Sequence, residues 1–96
     1  MIKGITEKEE IIIKNILTDY PYEFYYYGSR VKGDFTKGSD LDILIKFNSD
    51  ISQNTLDEID LKFNKSLLPY RVNFVLYDRI SNDFYKLIQN DLVKVL

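Results

Sequence analysis

Apolar residues first recur along this chain at helical spacing. Ile12, Ile13, Ile16 and Leu17 fall on one stripe, which predicts a helix over about Glu7 to Asp19 with that stripe toward a core. Thr6, with Glu9 three residues on, reads as a capping box at its start. Tyr20-Pro21 ends it, because a residue before proline avoids the helical region. Phe24 to Tyr27 is short, aromatic and β-prone. Its tyrosine rings should alternate inward and outward, as core or half-buried groups rather than a base-stacking platform. Gly28-Ser29 breaks that strand, Arg30 to Lys32 suits a short helical turn, and Gly33 to Ser39 is loop material. Leu41 to Phe47 is almost continuously apolar, as expected of a strand buried on both faces.

A polar linker, Asn48 to Asn54, leads to a second helical pattern carried by Leu56, Ile59, Leu61 and Phe63, with Asn54 or Thr55 as its cap. Leu67-Leu68-Pro69 closes that segment, and Val72 to Tyr77 is the third strand. Ser81-Asn82-Asp83 opens a last helix with Phe84, Leu87 and Ile88 on one stripe; Leu92 to Leu96 is a final short strand or an extended tail. The order α-β-turn-β-α-β-α, with that last strand open, predicts an α/β (α+β) fold: helices packed on a small mixed sheet. Residues 1–96 read as a single domain without repeats.

Composition narrows the chemistry. The chain has no Cys and no His, which removes thiol nucleophiles, imidazole acid–base work and the usual zinc sites. Lys and Arg number 13 against 15 Asp and Glu, so a general nucleic-acid coat is not expected. No apolar run approaches a membrane span, and the amino-terminal MIKGITEKEE has no secretory h-region. These features fit the cytoplasm. Catalysis here must rest on carboxylates, hydroxyls, Lys, Arg and an external metal.

The stretch YGSRVKGDFTKGSDLDILI supplies such groups. In a strand, residues two apart share a side, so Asp40 and Asp42 should project together from the head of an apolar run, about 6–7 Å apart along the backbone. Two like charges so placed each tend to hold a proton. A hard cation such as Mg²⁺ reverses that preference, and it commonly completes its shell with substrate phosphates. Gly28 lets the backbone turn sharply and approach a ligand. Ser29 adds a hydroxyl and amide donors that suit phosphate. Alone, an Asp-x-Asp pair is an ordinary solvated strand end, and a Gly-Ser pair an ordinary turn. In this order they reinforce each other.

Gly28-Ser29, ten residues, then Asp40-Leu41-Asp42 resembles the signature of the DNA polymerase β-like nucleotidyltransferases, and the short chain resembles their minimal nucleotidyltransferase group. The resemblance implies the polymerase β-like fold. It implies that Gly28 and Ser29 hold the β- and γ-phosphates of a nucleoside triphosphate, ATP in the first instance, with Arg30, and more loosely Lys32, adding positive charge. Asp40 and Asp42 would hold two Mg²⁺ ions. The implied reaction is Mg²⁺-dependent transfer of a nucleotidyl group, AMP for ATP, to a hydroxyl. Minimal members are commonly paired with a HEPN-domain toxin and act as its antitoxin, which can adenylylate a toxin tyrosine. A partner bringing the acceptor suits a chain too small for a separate substrate lobe.

One position departs from the family pattern. Asn73, in the third strand, stands where a third catalytic carboxylate is expected. An amide offers a neutral oxygen but neither a full charge nor a base. Mg·ATP binding should survive, with transfer slow or absent. Three explanations stand open: a naturally degenerate module that binds nucleotide or partner, a deliberate Asp→Asn exchange, or replacement by Asp78 or Asp83. The last is disfavoured because both lie past the strand, and Asp83 suits a helix amino-terminal charge. An open sheet edge also leaves room for a homodimer.

Overall fold

The computed structural model describes residues 2–47 and 50–96. Its elements run α1 (Glu7–Leu17), β1 (Glu23–Tyr27), α2 (Ser29–Lys32), β2 (Leu41–Lys46), α3 (Gln53–Asn64), β3 (Val72–Leu76), α4 (Asn82–Ile88) and β4 (Val93–Lys94), with single 3₁₀ turns at Tyr77–Arg79 and Gln89–Asp91. Four strands form one mixed sheet in the order β3-β2-β1-β4. β1 runs antiparallel to β2 and to β4, whereas β2 and β3 are parallel. A parallel pair needs a crossover, and α3 supplies it. The expected α+β architecture is what forms.

Both faces of the sheet are covered. On one face Phe24, Tyr26, Leu41, Ile43 and Ile45 pack with Ile13, Leu17, Ile59 and Phe63 of α1 and α3. On the other, Tyr27 and Leu44 pack with Ile88 and with Phe84 and Tyr85 of α4. The continuous apolar run of β2 reflects this two-sided burial: Leu41, Ile43, Leu44 and Ile45 are all fully enclosed. Tyr26 and Tyr27 therefore point to opposite faces and are both buried, while Tyr25 is half-buried beside the second cluster.

Local signals set most boundaries. Thr6 and Glu9 form the capping box in full, each side chain accepting from the other's backbone N–H. α1 stops at Leu17, slightly earlier than the predicted Asp19. α3 is capped by Ser52, whose hydroxyl accepts from the Thr55 amide, and not by Asn54 or Thr55 as expected. The expected linker is also less polar in role than in composition, because Ile51 is buried; its first two residues, Asn48 and Ser49, lie outside the described residues. Two leucines of the helical patterns face outward, and for Leu87 this corrects its place on the α4 stripe. Leu61 is 52% exposed and Leu87 is 74% exposed. At 3.6 residues per turn, Leu61 lies about 180° from the inward direction set by Ile59 and Phe63 in α3, and Leu87 lies about 80° from that set by Phe84 and Ile88 in α4. The chain's end does form a short strand, β4, on the free side of β1. Among the described residues no helix is long and apolar enough to cross a membrane.

The cap of α1 reaches beyond its own helix. Glu9 Oε1 also accepts from the Tyr70 hydroxyl at 2.9 Å, tying α1 to the segment that enters β3. Thr6→Ala should lower the unfolding free energy by about 1 kcal/mol, or about 4–8 °C in Tm for a domain of this size. Urea and thermal denaturation at pH 7 measure it.

Candidate active site

Gly28 ends β1 and begins α2 with φ of 85°, a left-handed conformation that L side chains rarely adopt. A second constraint acts there. The space a Cβ would fill is occupied by the Asp42 carboxylate. Tyr27 and Asp42 are directly opposed across β1 and β2, so the turn must pass close over that carboxylate. Ser29 is the first residue of α2, where the opening N–H groups of a helix have no intrahelical acceptor. The Gly28–Ser29 turn and the Asp42 carboxylate thus meet where β1 ends and β2 begins.

Asp42 is half-buried within β2. Burial pushes its carboxyl above the usual range, the charge of Asp40 adds to that, and a hydrogen bond from Asn73 opposes it. Asp40 itself lies just before the strand and is exposed. Asn73 is the register partner of Asp42 on β3, and its Nδ2 donates to Asp42 Oδ1 at 3.3 Å. The amide therefore occupies the flank of the acidic pair where a third carboxylate was expected. Asp78 and Asp83 lie past the far end of β3, in the 3₁₀ turn and the first turn of α4. Tyr27, buried at the foot of the site against Phe84, has its hydroxyl pushed up to about 12, first by burial and then by the Asp42 charge.

Arg30 does not fit the phosphate contact expected of it. It is 4% exposed. Nη1 donates to the Gly4 carbonyl at 2.6 Å, Nε and Nη2 donate to Ser39 O at 3.0 and 2.8 Å, and Nη2 also reaches Lys37 O at 3.2 Å. The guanidinium lies 3.8 Å from the centre of the Tyr70 ring and 5.2 Å from that of Phe35. A buried cation needs its donors satisfied, and here carbonyl oxygens of the loop before Asp40 satisfy them. Arg30 is a positioning residue for that loop. Lys32 is exposed and pairs with Asp91 at 3.8 Å. Gly4 and Tyr70, which hold Arg30, and Glu9, which accepts from the Tyr70 hydroxyl, were not singled out as site-supporting residues. The only trace of them in sequence was the capping box.

A family described as nucleotidyltransferase domain matches residues 9–95. The chain belongs to that family. A relative from Haemophilus influenzae, named "Probable protein adenylyltransferase MntA", is 33% identical over 93 residues, covering 95% of this chain and 82% of its own length. Together these make the protein a nucleotidyltransferase of the minimal, polymerase β-like kind.

Two predictions follow from the apposition of Gly28 and Asp42 in this nucleotidyltransferase. Gly28→Ala adds a Cβ against the carboxylate and forces a non-glycine residue into a sparsely allowed backbone region, at about 1–3 kcal/mol. It should weaken Mg·ATP binding at least about tenfold, read by isothermal titration calorimetry. Asp42→Asn acts oppositely on stability. A carboxyl whose pKa is higher folded than unfolded makes stability fall as pH rises through that window. The ionised Asp42 therefore destabilises the metal-free protein at pH 7. Asp42→Asn should raise Tm there, and the gain should vanish near pH 3, below the unfolded carboxyl pKa of about 3.9.

Proposed function

We propose that this nucleotidyltransferase moves a nucleotidyl group, AMP in the first instance, from a nucleoside triphosphate to a hydroxyl on a partner protein. The fitting role is that of a minimal nucleotidyltransferase antitoxin whose partner is a HEPN-type toxin, with a tyrosine as acceptor. The observation that carries the reading is the Gly28 turn lying against Asp42, with no room for a side chain between them. The name of the Haemophilus influenzae relative supports a protein acceptor.

The donor set fits Mg²⁺. Among the described residues no group of three or more His, Cys, Asp or Glu side chains gathers, but Mg²⁺ is commonly held by one or two carboxylates plus water and phosphate oxygens. Asp40 and Asp42 would be those carboxylates, with the amide oxygen of Asn73 as a neutral third donor. When bound, the ion supplies charge neutralisation and alignment of the triphosphate. Gly28 and Ser29 would receive the β- and γ-phosphates at the opening of α2. The acceptor hydroxyl oxygen forms a bond to the α-phosphorus and gives up its proton to water, the bond to the bridging oxygen breaks, and pyrophosphate leaves.

Asn73 gives a second reading its footing. It hydrogen-bonds to Asp42 but cannot take the proton of an attacking hydroxyl. A module that binds nucleotide and partner with little transfer is consistent with that. Label transfer from α-labelled ATP with Mg²⁺ separates the two, run with the neighbouring-gene product as acceptor. Asn73→Asp should raise labelling at least about tenfold, as gaining a general base does, and Asp42→Ala should abolish it. Silence from both the chain and Asn73→Asp, with no Mg·ATP binding, would overturn the transfer reading.

A further inference from the structure

β3 is an edge strand, paired only with β2. Leu41 lies opposite Val72, and its N–H donates to the Arg71 carbonyl at 2.8 Å. In a parallel ladder a residue bonds to the two neighbours of its opposite number, and successive residues turn their polar groups to opposite sides. Arg71, Asn73 and Val75 therefore face β2. Val72 and Phe74 turn their N–H and C=O groups outward, where no side chain among the described residues takes them.

Those outward groups open into a groove of about 520 Å³ between β3 and α3. Its far wall is one stripe of α3: Gln53, Leu56, Asp57 and Asp60, spaced three and four apart, while Arg71 and Arg79, at the two ends of β3, line the strand side. Asp57 and Asp60 are exposed and make no ion pair among the described residues; each accepts only from an amide of its own helix, from Gln53 and Asn64. The groove runs up to Asn73, beside Asp42. Backbone donors and acceptors in series, a helix wall of free carboxylates and an end at the reacting centre together describe a seat for one kind of guest.

We propose that the acceptor polypeptide binds in extended form as an added strand on β3, with basic residues on both sides of its reactive residue. The identity of the incoming hydroxyl rests on the transfer reading above; the docking mode does not. The pleat dictates the pattern. Val72 and Phe74 place their side chains in the α1–α3 core, whereas Asn73 and Val75 lie on the α4 face. A fifth strand about 4.7–4.9 Å outside β3 continues that alternation. A residue aimed at Asn73 and Asp42 then has neighbours, one before and one after, aimed at the α3 wall. Asp57 and Asp60 favour Lys or Arg at those neighbours. The edge thus reads a basic–hydroxyl–basic triplet through ordinary strand addition.

Two synthetic peptides test this: Lys-Val-Lys-Tyr-Lys-Val-Lys and its Glu-Val-Glu-Tyr-Glu-Val-Glu counterpart. Each is titrated into the full chain and followed by amide NMR. The lysine peptide should shift the Val72 and Phe74 amides saturably, at least about tenfold more tightly than the glutamate peptide, a ratio worth about 1.4 kcal/mol. Asp57→Lys with Asp60→Lys, both on the surface and outside the metal site, should reverse that preference while leaving Mg·ATP affinity unchanged. No saturable shift at millimolar peptide, shifts confined to other elements, or equal binding of the two peptides would overturn the proposal. So would concentration-dependent shifts of the same amides without peptide, which assign the edge to a second copy of this chain. Failure of label transfer with peptide binding intact removes the transfer reading and leaves the strand seat standing.

Discussion

The buried guanidinium of Arg30 is the constraint on which the active-site end of this protein depends. Among the described residues no carboxylate lies at contact distance to neutralise its charge. Instead it is dissolved in carbonyl oxygens from two separated segments, Gly4 on one side and residues 37 and 39 on the other, with an aromatic ring on its face. Leaving such a group without acceptors would be expensive, so the amino-terminal arm and the loop before Asp40 must close around it together. Tyr70 extends the clamp: its ring covers the guanidinium and its hydroxyl binds Glu9, which also completes the cap of α1. Burial, with the Glu9 bond adding, pushes that hydroxyl upward, so it stays a donor at neutral pH. The first helix, the entry to β3 and the approach to the acidic pair are thereby one mechanical unit.

The sheet supplies the second half of the site. Because helices cover both its faces, β2 can be apolar throughout, and the one charged residue near its start is placed where the covering stops. Asp42 sits half out of water, close to another carboxylate, in a protein that lacks His and Cys to relieve it. That arrangement works against the stability of the bare fold and suits a cation–phosphate ligand, the trade expected where function shapes a site. Gly28 is the matching concession in the backbone: a positive φ and a missing Cβ let the turn after β1 rest on the carboxylate.

Asn73 stands in register with Asp42 and is hydrogen-bonded to it, so a neutral amide occupies the flank of the acidic pair. The same strand also carries the open edge. Asn73 and the outward-facing backbone of Val72 and Phe74 are neighbours on β3, and the acidic stripe of α3 lines the groove beside them.

Sequence by itself determined a good deal, because the signals involved are local. The Thr6–Glu9 box, the glycine turn after an aromatic strand, the two-sided run of β2 and the Asp-x-Asp head are each readable within a few residues. They led to the α+β order, the family and the departure at Asn73. Where periodicity was weak, it misled: Leu61 and Leu87 are apolar yet exposed, since a helix of few turns can carry a stray leucine on its outer face. Ser52 took the cap of α3 from Asn54 and Thr55, a choice between adjacent polar residues that only the packing of Ile51 and Leu56 fixes. Tertiary structure alone decided the role of Arg30. From the sequence it is a cation beside a phosphate turn; its burial depends on Gly4, Phe35 and Tyr70, as many as 40 residues away along the chain. The free edge of β3 was likewise invisible, because strand order is a property of how distant segments pair and not of any one of them.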